Sequence, residues 1–214
     1  MTKTRLRIPP RFRFAMPYNE ALTLLAAFFK AEVSRRHREV VWTEDIQRCL
    51  AEVAAELVNE NPKFGFFFCG NVGNGKTSLM YALCHCIQYL ADSHHFEFMY
   101  DPESIYRAKI NMRVVDIREI LLASKGEAKE FDTLRKYPYL GIDDLGKEPA
   151  EIMDYGNILN PFHELLEYRY QQQLYTVITS NVPPGKIKEK YGERISNRIK
   201  EMLHKVVFEH TSYR

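Results

Sequence analysis

Phe64-Gly65-Phe66-Phe67-Phe68-Cys69-Gly70-Asn71-Val72-Gly73-Asn74-Gly75-Lys76-Thr77 is the stretch on which the reading of this chain turns. The apolar run Phe66–Cys69 reads as a strand buried on both faces. Gly70-x-x-x-x-Gly75-Lys76-Thr77 follows at once. Beyond it Leu79, Leu83, Cys86, Ile87 and Leu90 recur at helical spacing to about Asp92. Strand, glycine-rich turn and helix in that order make a P-loop. Its glycines let successive backbone N–H groups point inward into an anion-sized nest, and the positive end of the helix adds to the field. The candidate phosphate cradle is Gly70, Asn71, Val72, Gly73, Asn74, Gly75, Lys76, Thr77 and Ser78. Lys76 would reach the β- and γ-phosphates and the Thr77 hydroxyl would bind Mg²⁺. An ordinary glycine turn with Lys76 in solvent would not need the full spacing in this context. The stretch implies a nucleoside triphosphate site.

The totals leave room for one well-filled α/β domain, with 214 residues, 45% hydrophobic and 27% charged. A net charge of +2 does not imply a strongly basic nucleic-acid surface. The first 14 residues differ, for Lys3, Arg5, Arg7, Arg11 and Arg13 stand there with no acid, interleaved with Phe12 and Phe14. They read as a solvated arm or as a contact for DNA or an acidic partner. Cys49, Cys69, Cys84 and Cys86 fall on expected helices or the buried strand and lack zinc-site spacing, so four reduced thiols are expected. No apolar run approaches the roughly 18 residues that span a bilayer, and no signal-peptide core is present. The expectation is a cytoplasmic protein without a membrane partner.

Outward from the P-loop, Ala21, Leu24, Leu25, Phe28 and Phe29 mark an amphipathic helix from Asn19 to about Ser34. Arg35–Glu39 reads as a linker or a solvated helix end. Thr43 is a plausible N-cap for a helix whose buried stripe is Ile46, Leu50, Val53 and Leu57, and Asn61-Pro62 stops it. His95–Tyr100 alternates like a strand, and Met112–Val115 is a better strand candidate. Helices are expected over Ile117–Ala123 and up to Arg135. This rhythm points to a three-layer α/β domain with a mostly parallel sheet. The expected division is a basic arm and amphipathic helix over 1–38 and an ATP-binding core over 39–214.

Three further segments carry candidate chemistry. Tyr137–Gly146 reads as a strand that delivers Asp143 and Asp144 at its C-terminal end, where ligands sit in open α/β sheets. Neighbouring strand residues point opposite ways, so Asp143 would serve Mg²⁺ while Asp144 addresses the attacking water. Leu174–Asn181, stopped by Pro183 and Pro184, reads as a strand whose tip could place an amide near the γ-phosphate. On Gly192–Met202, Ile195, Ile199 and Met202 form a buried stripe, while Arg194 and Arg198 project together. Two guanidiniums held so would suit a phosphate in a neighbouring subunit, or would pair with Glu193 and Glu201. Trp42 would stack on adenine or pack, and Arg169 would meet phosphate, DNA, Glu167 or Glu164. The seven histidines form no metal or nucleophile constellation.

P-loop, Ile142-Asp143-Asp144-Leu145-Gly146, Thr179-Ser180-Asn181 and Gly192-Glu193-Arg194-Ile195-x-x-Arg198-Ile199, in this order, resemble the AAA+ ATPases of the DnaC/DnaI helicase-loader group, to whose clade the IstB transposition helpers belong. The resemblance runs from about Val41 to the C-terminus, where Val207-Phe208-x-x-x-Ser212-Tyr213-Arg214 also fits. It implies a parallel five-stranded sheet in the order 5-1-4-3-2. It also implies Asn181 as the sensor-1 residue, Arg198 as the arginine finger and Arg194 as its neighbour. The short stretch after Arg198 leaves out a C-terminal helical lid, as in loaders. ATP and Mg²⁺ are the implied ligands. The implied partners are further copies of the chain, single-stranded DNA, and a replicative helicase or transposase. An ATP-dependent adaptor with little hydrolysis and a small-molecule kinase are the competing readings.

Overall fold

The computed structural model describes residues 11–92, 111–126, 128–148, 152–154 and 157–209. In chain order its elements are α1 (Tyr18–Arg35), α2 (Glu44–Leu57), β1 (Gly65–Gly70), α3 (Lys76–Asp92), β2 (Met112–Asp116), α4 (Ile117–Lys125), α5 (Ala128–Lys136), β3 (Tyr139–Leu145), β4 (Ile152–Asp154), β5 (Asn157–Leu159), α6 (Pro161–Gln171), β6 (Tyr175–Ser180), α7 (Ile187–Met202) and β7 (His204–Phe208). Five strands form one sheet in the spatial order β2-β3-β6-β1-β7, every pair parallel. Counted along the chain, that is the expected 5-1-4-3-2. β4 and β5 form a separate antiparallel pair.

Strand alternation divides the core into two layers. Phe66 and Phe68 of β1 join the apolar side chains of α1, α2 and α3, whereas Phe67 and Cys69 join those of α4, α6 and α7. Helices thus cover both faces, as a parallel sheet requires. Local signals set the helix ends. Thr43 Oγ1 accepts from the Ile46 N–H at 3.3 Å, Asp116 forms a capping box with Glu119, and Asn160 Oδ1 accepts from the His163 N–H ahead of Pro161. The segment expected as one helix from Gly192 belongs to the longer α7, kinked where Gly192 takes φ +81°.

The solvated-arm reading fails for residues 11–14. Phe12 and Phe14 are buried, and the Phe12 ring lies 4.8 Å from that of Tyr175 and 5.3 Å from that of Tyr139. Phe14 N–H bonds the Leu57 carbonyl at 2.6 Å, and Arg11 donates to the Pro62 carbonyl while lying 4.8 Å from the Phe64 ring. Aromatic residues spaced two apart on an extended segment share a face, and here that face seals the sheet's lower end. Ala21, Leu25 and Phe29 of α1 belong to the same apolar cluster as α2 and α3, which therefore crosses the boundary expected at residue 38. Lys3, Arg5 and Arg7, the expected strand His95–Tyr100, and the terminal Ser212–Arg214 lie outside the described residues.

Arg169 is also corrected. It is wholly buried, so neither DNA nor a phosphate meets it, and it pairs with neither Glu164 nor Glu167. Its Nε donates to Thr176 Oγ1 at 2.9 Å, and its terminal nitrogens donate to the carbonyls of Arg135, Tyr137 and Tyr175. One guanidinium fork ties the end of α5, the entry to β3 and the start of β6 to α6. Complete burial pushes its pKa down to about 9.

The cysteines are unpaired, and burial raises all four thiols. Among the described residues no helix is long and apolar enough to cross a membrane, and no group of three His, Cys, Asp or Glu side chains could hold a metal ion.

Candidate functional site

β1 ends at Gly70 with φ +145°, where a Cβ would stand 2.2 Å from the Phe208 carbonyl oxygen of β7. Only glycine allows the chain to turn there against its neighbour. Asn74, fully buried, donates from Nδ2 to the same carbonyl at 3.1 Å and pins the loop. α3 starts at Lys76. The Lys76 ammonium donates to the carbonyls of Gly70 (2.9 Å) and Asn71 (2.6 Å) and to Asn74 Oδ1 (2.9 Å). Burial lowers its pKa to about 8 against the opposing pull of Asp144, Cys69 and Asp143. A cation held this way is preorganised for an anion entering the nest. Lys76→Ala is expected to weaken nucleotide binding by about 10- to 100-fold, the worth of charge-assisted hydrogen bonds. Calorimetric titration with ATP checks this, and unchanged affinity would refute the cradle.

The loop opens into a cavity of about 390 Å³. Val72 to Ser78 line one side, with Asp143, Asp144, Lys147 and Asn181 at the strand ends. Phe29, Val33, Val40, Val41 and Ile46 give an apolar wall opposite, edged by Arg36, Arg38 and Glu39. Gly70 and Asn71 shape the loop behind the lining. Trp42 is not part of the wall; its ring sits 6.3 Å from Phe29, and Val40 and Val41 beside it face the cavity instead.

Both acids reach the cavity, although strict alternation would send them to opposite faces. The β3–β6 register shifts between Ile142 and Leu145, and Asp144 takes φ +62°. This left-handed residue, a bulge in effect, turns Asp144 toward the side Asp143 already faces. Asp143 Oδ1 accepts from Thr77 Oγ1 at 2.9 Å and from Thr179 Oγ1 at 2.5 Å. Thr179 Oγ1 in turn accepts the Asp144 N–H at 2.9 Å, so one hydroxyl fixes both acids. Asp144 Oδ2 pairs with Lys147 at 2.5 Å, and Asn181 Nδ2 lies 3.4 Å from its other oxygen.

The set Thr77, Asp143 and Asp144 offers hard oxygens, the donor class that Mg²⁺ selects. Burial, reinforced by the negative charges of Asp144 and Asp116, raises the Asp143 pKa against the hydroxyl hydrogen bonds that lower it. A buried carboxylate so placed fits a divalent cation, which Thr77 and Asp143 would hold. Bound there, such an ion would supply positive charge to offset that of the phosphates.

Arg194 and Arg198 do not line the cavity. Both pair with Glu167 of α6, rather than with Glu193 or Glu201, and Arg198 also lies 5.2 Å from the Tyr170 ring. Glu193 binds Lys188, and Glu201 accepts from the Tyr170 hydroxyl. The sequence reading missed Thr179, Lys147 and Arg36. Thr179 was visible as a hydroxyl two residues before Asn181. Arg36 stood in a charge run whose direction only packing reveals.

No protein-family model matches the chain. The chromosomal replication initiator protein DnaA of Kosmotoga olearia is 29% identical over 175 residues, 70% of this chain but only 37% of that protein's length. The crystal structure of the DnaC helicase loader superposes with a TM-score of 0.58 at 23% identity, over 79% of this chain and 93% of that one. The DnaI crystal structure gives 0.59 at 21% identity, over 95% and 96%. The chain therefore shares the fold of the DnaC and DnaI structures, with its parallel five-stranded sheet.

Proposed function

We propose that this chain is a DnaC-like AAA+ ATPase that binds Mg-ATP and hydrolyses it slowly as a switch in loading or remodelling a replication or transposition complex. The observation that carries the reading is the joining of P-loop and acid strand through the Thr77–Asp143 hydrogen bond, with Asp144 and Asn181 in the same cavity. In this reading Lys76 and the loop N–H groups hold the phosphates. The apolar wall around Val40 and Val41 receives the base. Asp144 orients the attacking water, and Asn181, by its nearness to Asp144, helps to position it. Arg198, outside its own cavity, would complete the site of an adjacent protomer, with Arg194 beside it. The 29% identity to a replication initiator over 70% of this chain, and the fold shared with two structures, one of them a helicase loader, support a role beside DNA and a replicative helicase.

The test is the ATPase rate per subunit as a function of protein concentration, with and without single-stranded DNA. A rate that rises with either is expected, since the finger comes from a neighbour. A flat, near-zero rate beside tight ATP binding supports the second reading, a binding adaptor. The ion pair that ties Asp144 to Lys147 favours that alternative, because a carboxylate held by an ammonium is withdrawn from water.

A further inference from the structure

The charged run after α1 enters the cavity as well as linking two helices. Glu32, in the last turns of α1, has only 1% of its side chain exposed. It gathers Arg35 at 3.0 Å, Arg36 at 2.8 Å and the ring of His85, on α3, at 3.6 Å. Of these three side chains Arg36 alone lines the cavity. Its guanidinium donates to Ser78 Oγ at 3.0 Å and lies 5.7 Å from the Tyr81 ring, so it is clamped over the first turn of α3. Ser78 follows Thr77 directly, one residue beyond the cradle's magnesium-side hydroxyl. Val33 and Val40 of the apolar wall line the same cavity as Arg36. The wall also touches the loop itself, since a Cβ at Gly75 would meet Ile46 at 3.3 Å and Phe29 at 3.6 Å.

We infer that Arg36 is a nucleotide-binding residue acting within its own subunit, contacting the phosphate nearest the ribose and so coupling ligand binding to the seating of α1 on the P-loop helix. The inference rests on the nucleotide reading of the cavity and adds to it a residue outside the P-loop and strand-end motifs. A guanidinium has five donors in a planar fork. Glu32 and Ser78 take part of that fork, and the cavity side remains for a phosphate oxygen. Arg36 lines the cavity together with the apolar wall and is hydrogen-bonded to Ser78 in the first turn of α3, and on these two contacts it is assigned to the base-side end of the polyphosphate. The contact is thus common to ATP and ADP.

The experiment is calorimetric titration of the full chain and its variants with ATP and with ADP, each with Mg²⁺, followed in parallel by the fluorescence of Trp42, the single tryptophan, next to the wall residue Val41. Arg36→Ala is expected to weaken both nucleotides by a similar factor, about 10- to 100-fold. Arg36→Lys, which keeps the charge without the fork, should fall between. Arg35→Ala removes the other arginine on Glu32, which does not line the cavity, and should leave both affinities unchanged. Equal losses in Arg35→Ala and Arg36→Ala would mean that the cluster acts only by holding α1, and would overturn the inference. So would a loss confined to ATP, which would put the contact at the γ-phosphate, or no loss at all. A wild-type chain that binds neither nucleotide would instead remove the ATP reading beneath it.

Discussion

Arg198→Ala is expected to leave ATP affinity within about twofold of the parent and to lower assembly-stimulated turnover by about a thousandfold, the lower range for a lost arginine finger. The reasoning starts from position. Arg198 sits on α7, outside the cavity of its own subunit, so removing it takes no group from the bound nucleotide. Its side chain is 14% exposed, paired with Glu167 and laid across Tyr170. A finger in this place would have to leave or share that partner to reach a γ-phosphate next door, and Glu167 would hold it in the separate subunit. The pair is partly buried, so losing it costs more than the roughly 1 kcal/mol of an exposed pair but less than the roughly 3–5 kcal/mol of a fully buried one, and the variant should still fold. Arg194, with 70% of its side chain in solvent and the same glutamate as partner, should matter less. The measurement is steady-state hydrolysis at protein concentrations where the parent rate per subunit has risen, with binding checked by titration. Normal turnover of Arg198→Ala in that regime would end the finger assignment.

Arg169→Met should be the most destabilising single change outside the cavity. Methionine replaces much of the stem but none of the donors. The carbonyls of Arg135, Tyr137 and Tyr175 and the Thr176 hydroxyl then lose this buried partner. Each unsatisfied buried acceptor costs about 1–3 kcal/mol, moderated where water enters, so a total of about 3–5 kcal/mol is expected. For a chain of this size that corresponds to a Tm lower by roughly 6–20 °C. The thermal midpoint followed by circular dichroism reads it directly. A midpoint within about 3 °C of the parent would show that the fork carries little of the fold. Because Arg169 joins the entry of β3 to β6, nucleotide affinity should fall only as far as folding does. Its guanidinium stays charged at neutral pH even with its pKa lowered to about 9, so the hydrogen bonds persist there.

Elements with a local cause are legible in the amino-acid order alone. Glycine spacing after a doubly buried strand dictated the loop, because a nest of N–H groups needs backbone that only glycine readily adopts. The periodic stripes Ile46–Leu57 and Leu79–Leu90 dictated helices, and Thr43 was legible as a cap, since helical burial and capping depend on residues a few positions apart. The strand order 5-1-4-3-2 came from resemblance, not from any local signal. Tertiary structure alone decided the rest. Alternation along β3 predicts one acid per face, yet the left-handed turn at Asp144, held by Thr179 35 residues away, brings both to one cavity. Arg169 reads in sequence as a contact for phosphate or DNA or as the partner of Glu167 or Glu164, and only the meeting of α5, β3 and β6 around it makes it the centre of a buried network. The same holds for Phe12 and Phe14, which read with their arginines as an arm or a contact for DNA or an acidic partner, and for Arg36, which reads as part of a linker or a solvated helix end. Charge and aromaticity are properties of a residue, but burial belongs to the neighbours that distant parts of the chain supply.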